Sequence, residues 1–219
     1  MSTEFLNNYD VIIFDCDGVL IDVNLLKCEA FGKAVEEYPQ QIIDNFVNHC
    51  KNTFGVSRYV KFKEFFNDFA KEPFQEDKYD KFLESYANIC KEMYQFANIT
   101  PGCESLLTKL LNSNKSLYVA SGSDEKELNE AFVGRGLIRF FNGIYGSPKT
   151  KSECTSIILG KNSNKKGVFI GDAYSDLKTA KEHNLDFIYM SKFTVQSDEK
   201  DQICRREATK VINVLEELI

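Results

Sequence analysis

The chain has few histidines, no long apolar run and no block of lysine and arginine. Its two histidines, His49 and His183, lie outside any motif that would activate a nucleophile, and we expect them at the surface or in packing. No stretch approaches about eighteen consecutive apolar residues, the length that a membrane-spanning helix needs, so no membrane association is expected. The net charge of −6 and the missing basic block argue against a nucleic-acid partner.

Closely paired cysteines are also missing. Seven cysteines are present, but none forms a Cys-x-x-Cys pair, so a zinc site is not expected. Residues 1–10 have neither the basic nor the apolar region of a secretory leader. Because an odd number of cysteines without a leader indicates reduced thiols, we expect a cytoplasmic protein.

The most informative stretch is an apolar run that ends in two closely spaced carboxylates. Val11–Phe14 predicts a strand buried on both faces of a parallel sheet. Side chains alternate along a strand, so Asp15 and Asp17 should leave its carboxyl end on the same side, and Gly18 permits a sharp turn. Two carboxylates about 4 Å apart repel by roughly 4 kcal/mol at an effective dielectric constant near 20, which calls for a shared proton or a divalent cation. A solvated Asp-x-Asp-Gly turn is the alternative interpretation.

A long helical segment follows this strand. In residues 22–98 the apolar residues recur at helical spacing, which predicts about four amphipathic helices. Lys27 is expected on a solvated helix face. The many phenylalanines of this segment indicate the core of a helical bundle rather than a cofactor-binding face.

Beyond this segment, strand and helix patterns alternate, which predicts a parallel sheet covered by helices on both faces. Thr100 is predicted to cap the first of these helices, Ser123 or Asp124 the next, and Ser197 and Asn213 two closing helices. A crossover between parallel strands needs only a few tens of residues, so the long helical segment is predicted to be a domain inserted between the first two strands.

Four stretches, in order along the chain, resemble the motifs of the haloacid dehalogenase (HAD) superfamily. They are Asp15-Cys16-Asp17-Gly18-Val19, Val119-Ala120-Ser121-Gly122-Ser123, Gly146-Ser147-Pro148-Lys149-Thr150-Lys151 and Gly171-Asp172-Ala173-Tyr174-Ser175-Asp176. The resemblance is to its phosphoglycolate phosphatase and β-phosphoglucomutase-like branch. It implies a Rossmann-like α/β core of residues 1–21 and 98–219, with an α-helical cap domain of residues 22–97.

The resemblance also implies roles for the first two motifs. Asp15 matches the nucleophile that becomes an aspartyl phosphate, and Asp17 matches the general acid that protonates the leaving oxygen and then activates water. Ser121 matches the hydroxyl that binds a phosphoryl oxygen, together with nearby backbone N–H groups such as that of Gly122.

The third and fourth motifs imply a lysine and a magnesium site. The family's lysine is usually followed by proline, but Lys149 is followed by threonine. The position of Lys151 directly before a helix resembles a variant of the motif, so Lys151 is favoured and Lys149 stays open. The implied Mg²⁺ ligands are the Asp15 and Asp172 carboxylates and the Asp17 carbonyl, while Asp176 would hold a metal-bound water or the lysine.

These matches predict a Mg²⁺-dependent phosphatase acting on a small phosphorylated metabolite. A phosphosugar mutase is the main alternative, but the threonine and histidine that mutases of this branch use after the first motif are replaced by Val23 and Lys27. Phosphonate-cleaving relatives use a cap lysine as a Schiff base, so Lys27 keeps that alternative open. A non-catalytic phosphate-binding module is the remaining alternative. The sequence predicts neither the substrate nor the oligomeric state.

Overall fold

Six parallel strands form the centre of the structure, a computed structural model that describes residues 3–219. The strands are β1 Val11–Phe14, β2 Ser116–Asp124, β3 Gly143–Ser147, β4 Gly167–Gly171, β5 Asp186–Met190 and β6 Lys210–Ile212. Their order in the sheet is β3-β2-β1-β4-β5-β6, so β1 pairs with both β2 and β4. The order places the end of β1 at the middle of the sheet edge, where the direction of strand order reverses and ligands commonly bind.

Helices connect and flank these strands. They are α1 Thr3–Asn7, α2 Asn24–Ala34, α3 Gln40–Asn52, α4 Arg58–Glu64, α5 Glu76–Phe96, α6 Cys103–Asn112, α7 Glu125–Gly134, α8 Lys151–Lys161, α9 Tyr174–Glu182 and α10 Asp198–Glu207. A π-helical turn at Phe65–Ala70 and 3₁₀ turns at Ile138–Phe140 and Leu215–Leu218 complete the described elements. No helix in the described part of the chain is both long and apolar enough to span a membrane.

Both faces of the sheet are buried, as the continuous apolar pattern of β1 predicts. Ile12 and Phe14 pack in one buried cluster, together with residues of α6 and α7. Val11 and Ile13 pack in a second buried cluster, together with residues of α8 and α9. This alternation follows from the two-residue period of a strand. The predicted fold class, a Rossmann-like α/β sheet covered on both faces, is therefore confirmed.

The segment between β1 and β2 is helical, and we call α2 to α5, residues 24–96, the helical insertion. Its centre is a cluster of aromatic rings with centroids 4.2–6.1 Å apart. The rings belong to Phe31, Tyr38, Phe46, Phe62, Phe65, Phe66, Phe82 and Tyr86. The interpretation of the phenylalanines as bundle core is therefore confirmed.

Two short chain segments join the insertion to the sheet, and they pair with each other. Asp22 donates a backbone hydrogen bond of 2.9 Å to Asn98, and Thr100 donates one of 3.1 Å to Leu20. The Thr100 hydroxyl donates to the carbonyl of Val19. The prediction that Thr100 caps α6 is therefore wrong, because its side chain instead ties the two connecting segments together. The division into a core and a cap at residues 21–22 and 97–98 stays a prediction, and residues 1 and 2 of the predicted core lie outside the described residues.

The end of the chain differs from the sequence-based expectation. Ser197 precedes α10 but makes no capping hydrogen bond through its side chain. Asn213 precedes only the 3₁₀ turn Leu215–Leu218, and β6 was not predicted. A strand of three residues at a sheet edge is too short to show a clear period.

The aromatic cluster generates a prediction about stability. Phe46 is completely buried in the cluster, whereas Phe96 at the end of α5 is 83% exposed. Phe46→Ala should lower the free energy of unfolding by about 3–5 kcal/mol, because it removes buried apolar area and leaves a cavity. Urea unfolding followed by circular dichroism measures this change. Phe96→Ala is the control and should change stability little; equal losses in both variants would contradict the packing described.

Candidate active site

The carboxyl ends of three neighbouring strands bring three predicted site residues together. Asp15 directly follows β1, Ser121 lies in the last part of β2, and Asp172 directly follows β4. All three side chains are buried. Because β1 lies between β2 and β4 in register, Asp15 occupies the centre of this group.

Lys151 lies between two of the predicted carboxylates. Its Nζ is 2.8 Å from Asp15 Oδ2 and also donates to Asp176 Oδ1. Lys151 is the first residue of α8, whose start is fixed by a reciprocal pair of hydrogen bonds between Thr150 and Glu153. This local motif places the lysine at the sheet edge.

Lys149, the other candidate lysine, points elsewhere. Its Nζ is 2.8 Å from Glu125 Oε2, and both side chains are about a third exposed. The structure therefore brings Lys151, and not Lys149, to Asp15.

Burial dominates the electrostatics of Asp15. Desolvation raises the pKa of Asp15 to about 7, with further increases from the nearby Asp176 and Asp17 charges and an opposing effect from Lys151. Burial alone would lower the pKa of Lys151, but the two adjacent carboxylates outweigh it and raise that pKa. The remaining oxygen of Asp15, Oδ1, accepts the backbone N–H of Cys16 at 2.7 Å.

Asp172 carries the clearest sign of an unmet ligand. Its Oδ2 accepts a 2.6 Å hydrogen bond from Asn24 Nδ2, but its buried Oδ1 has no hydrogen-bond partner among residues 3–219. Burial and the charges of Asp15 and Asp176 raise the pKa of Asp172 well above its usual range. Oxygen atoms of these three aspartates lie within 4.8 Å of one another, so the group could hold a divalent cation.

Gly18 is needed for this arrangement. Its φ of +76° is in the left-handed region. A Cβ atom at this position would lie 2.2 Å from Asn24 Nδ2 and 2.5 Å from Asp172 Oδ2. Glycine therefore lets the first loop approach the carboxylate group closely.

Asp17 is held by a separate set of partners. Its Oδ2 accepts hydrogen bonds from Lys27 Nζ at 2.7 Å and from Ser123 Oγ at 2.6 Å, and its Oδ1 accepts one from Tyr94 OH at 2.7 Å. Burial would raise the pKa of Asp17, but the Lys27 charge and these hydrogen bonds outweigh it and lower the pKa. Asp17 is therefore held in its ionised form.

Sequence reasoning missed most of this set. The expectation that Lys27 lies on a solvated face is wrong, because its side chain is buried against Asp17. Tyr94 belongs to none of the four motifs, and Ser123 was considered only as a helix cap. The cap of α7 is Asp124, whose carboxylate accepts the N–H groups of Lys126 and Glu127. The only feature of the sequence that marked Ser123 as a possible site residue was its position in the Val119–Ser123 motif.

The helical insertion covers the carboxyl edge of the sheet. Ser175 Oγ donates a 3.1 Å hydrogen bond to the carbonyl of Phe54. A Cβ atom on Gly122 would lie 2.2 Å from the carbonyl oxygen of Gly55, so glycine at 122 permits this close contact. The cavity left between the two parts has a volume of about 20 Å³, room for about one water molecule.

Residues from both parts of the chain line this cavity. The sheet edge contributes Asp15, Asp17, Ser121, Gly122 and Ser123, and the insertion contributes Lys27, Phe31, Phe54, Gly55, Val56, Arg58, Lys61 and Tyr86. Ser121 Oγ accepts the backbone N–H of Ser123 at 3.2 Å. His49 and His183 do not line the cavity, in agreement with the sequence analysis.

The chain matches a known family. The sequence profile of the haloacid dehalogenase-like hydrolases matches residues 12–190, most of the chain. The chain belongs to this family, and the resemblance inferred from the four motifs is confirmed at that level. Among curated proteins, none matches the sequence.

Solved structures share the fold at low sequence identity. A predicted phosphoglycolate phosphatase from Haemophilus somnus is 15% identical, with a TM-score of 0.77 and 96% of each chain covered. A predicted phosphatase from Clostridium acetobutylicum is 21% identical, with a TM-score of 0.74 and 96% of each chain covered. A β-phosphoglucomutase from Clostridium difficile is 20% identical, with a TM-score of 0.74, 96% of this chain and 93% of that chain covered.

Lys151 and Lys149 should differ in how much each contributes to the free energy of unfolding. Lys151→Met should lower the free energy of unfolding by about 3–5 kcal/mol, because it leaves two buried carboxylates without their counter-ion. Lys149→Met, which breaks only a partly exposed pair, should cost about 0–1 kcal/mol. Urea unfolding at pH 7.5 measures both changes.

The loss in Lys151→Met should shrink at pH 5. The pKa of Asp15 is raised to about 7, so protonation below that pH removes part of the repulsion that the substitution exposes. Equal losses in the two lysine variants, or a loss in Lys151→Met that does not depend on pH, would contradict the electrostatics described.

Proposed function

We propose that this protein is a Mg²⁺-dependent phosphatase that hydrolyses a small phosphorylated metabolite through an aspartyl phosphate on Asp15. The observation that carries the proposal is the position of Asp15 in the covered cavity. It lies beside Lys151, with Asp17 and Ser121 lining the same space. A carboxylate nucleophile, an ammonium group, an acid and a hydroxyl are what in-line transfer of a phosphoryl group requires.

The buried location of Asp15 suits nucleophilic attack on phosphorus. The Asp15 residue is 1% exposed, so its carboxylate is not heavily hydrated. Lys151 offsets the repulsion between this carboxylate and an anionic phosphoryl group, and Asp176 fixes Lys151 by accepting a second hydrogen bond from it. Ser121 and the backbone N–H of Gly122 would bind the phosphoryl oxygens.

Asp17 would protonate the leaving oxygen and then accept a proton from the attacking water. For the first step Asp17 must itself be protonated, but its contacts with Lys27, Tyr94 and Ser123 favour the ionised form. Lys27 lies on α2 and Tyr94 on α5, both in the insertion. Proton transfer by Asp17 is therefore expected to require a shift of these helices that loosens the Lys27 contact.

The donor set fits a magnesium ion. Asp15 and Asp172 would supply carboxylate oxygens, Asp17 its backbone carbonyl, and Asp176 a second contact to Lys151 or to a bound water. Oxygen-only donors and the unpartnered Asp172 Oδ1 match the preference of Mg²⁺ for hard ligands. When bound, the cation would lower the pKa of Asp15 and neutralise charge on a phosphoryl oxygen.

Related structures support the choice of reaction, and Lys27 bears on the alternatives. Two of the similar structures are described as predicted phosphatases and one as a β-phosphoglucomutase.

The state of Lys27 bears on the phosphonate-cleaving alternative. The charge of Asp17 outweighs the effect of burial and raises the pKa of Lys27, so the amine is protonated. A protonated amine cannot form a Schiff base, which disfavours phosphonate cleavage. A sugar-phosphate mutase stays the second candidate, because its nucleophile and acid would occupy the same positions.

Phosphate release from a panel of metabolite phosphates tests the proposal. With Mg²⁺, the wild-type protein should release phosphate from a subset of the panel, and excess EDTA should abolish release. Asp15→Asn should reduce kcat at least a thousandfold while circular dichroism stays unchanged, because an amide cannot accept the phosphoryl group. Asp44→Asn, an exposed aspartate on α3, is the matched control and should keep full activity.

Each alternative gives a different result in this experiment. Isomerisation of a hexose phosphate without phosphate release, followed by ³¹P NMR, would establish the mutase instead. Substantial turnover in Asp15→Asn would contradict the aspartyl-phosphate mechanism. A folded protein that transforms none of the compounds would support a binding role.

Thermal unfolding tests the metal site without using activity. At about a hundredfold excess over its Kd, Mg²⁺ should stabilise the wild-type protein by about 2.7 kcal/mol, or about 5–10 °C in Tm. Asp172→Asn should remove most of this shift. In metal-free buffer the same variant should be at least as stable as wild type, because it replaces a carboxyl group whose ionisation is opposed by burial and by the charges of Asp15 and Asp176. An unchanged Mg²⁺ shift in Asp172→Asn would contradict this ligand set.

A further inference from the structure

The insertion places three cationic side chains on the cavity, and two of them are neutralised by acids. Lys27 is paired with Asp17 at 2.7 Å. Arg58 forms two hydrogen bonds of 2.5 and 2.7 Å with the carboxylate of Glu127. The third is Lys61, for which no carboxylate of the described chain lies within ion-pair distance.

The surroundings of Lys61 satisfy only part of its side chain. It is 1% exposed, and its single hydrogen bond within residues 3–219 is to the backbone carbonyl of Cys50, at 2.9 Å. Its Nζ lies 4.8 Å from the ring centre of Phe31 and 5.7 Å from that of Phe54. An ammonium group has three donors, so two remain for another partner.

The nearest acid on the same helix is engaged elsewhere. Glu64, three residues further along the chain, contacts His49 Nε2 at 2.8 Å. A buried ammonium without an acid costs several kcal/mol, and burial accordingly lowers the pKa of Lys61. A cation kept at this cost on the wall of a reaction cavity is best explained by an anion that enters the cavity.

We propose that Lys61 binds a carboxylate of the substrate, on the leaving-group side of the phosphoryl group, so that the substrate is a small phosphorylated carboxylic acid. The inference rests on the proposed phosphatase function and narrows its substrate class. Phe31 and Phe54 flank the ammonium and exclude water, which strengthens an ion pair formed there.

Charge favours a carboxylate over a second phosphate. One unpaired ammonium balances one carboxylate, whereas a phosphate dianion would leave a buried charge unmatched. Arg58 is the other cation that could meet a second phosphate, but Glu127 already occupies its guanidinium group.

The test measures binding in the turnover-blocked Asp15→Asn protein with Mg²⁺, by titration calorimetry. The probes are 2-phosphoglycolate, 2-hydroxyethyl phosphate, which replaces the carboxylate with an uncharged CH₂OH group, and ethylene glycol bisphosphate. With Lys61 intact, 2-phosphoglycolate should bind at least tenfold more tightly than either other compound. Adding Lys61→Met should remove this preference and leave the affinity for 2-hydroxyethyl phosphate within about threefold.

Methionine suits this position because it keeps the length of the side chain and removes the unpaired charge. Lys63→Met, the same change at an exposed position of α4, is the matched control and should keep the preference. If Lys61 only packs against the phenylalanine rings, Lys61→Met should leave the ratio of the affinities for 2-phosphoglycolate and 2-hydroxyethyl phosphate unchanged. That result, with both compounds binding, would overturn the inference and leave the phosphatase function standing.

The other outcomes are equally distinct. Tighter binding of the bisphosphate, lost in Lys61→Met, would overturn the assignment of a carboxylate. Failure of all three probes to bind a folded protein would overturn the inference, while the phosphatase function is decided separately by phosphate release from the metabolite panel. In the wild-type background, the same preference should appear in kcat/KM and disappear with Lys61→Met, while kcat/KM for 2-hydroxyethyl phosphate stays within about threefold.

Discussion

Three buried carboxylates share one buried ammonium at the carboxyl edge of the sheet, and this imbalance of charge governs the site. Asp15, Asp172 and Asp176 lie within reach of a common ion, while Lys151 contacts only two of them. Burial raises the cost of each unpaired charge, which is why the pKa values of Asp15 and Asp172 rise. Under the proposed function, a divalent cation would offset this excess of negative charge and so allow an anionic phosphoryl group to bind.

The candidate site also depends on contacts between the sheet edge and the helical insertion. Asp17 follows the central strand, but two of its hydrogen-bond donors, Lys27 and Tyr94, come from helices of the insertion. The protonation of Asp17 is therefore coupled to the position of those helices, whereas Asp15 and Lys151 are positioned by the sheet and by α8. In the proposed mechanism, a movement of these helices would change both the cover over the cavity and the charge of Asp17.

The parts of the site that follow from chain order could be predicted, and the parts that follow from packing could not. A carboxylate directly after an apolar strand must emerge at the sheet edge, which identified Asp15, and the family's fourth motif identified Asp172 at the end of another strand. Lys151 was favoured because its position directly before a helix resembles a variant of the family's third motif. Lys27 and Lys61 lie on helices whose faces are decided by how the insertion packs against the sheet, and no local period reveals that a lysine is buried. Strand β6 was missed because its three residues are too few to show a strand period.

The cations of the candidate site have separate sets of contacts. Lys151 reaches Asp15 from α8, on the sheet side, and has no hydrogen bond to any residue of the described insertion. Lys61 reaches the cavity from α4 and is held by Cys50 and two aromatic rings, all within the insertion. Removing the charge at Lys61 therefore leaves the contacts of Asp15 intact, and interactions without shared partners are expected to contribute independently. Under the proposed roles, the four motifs contain the reacting groups, whereas the insertion residues that would face the leaving group belong to none of them.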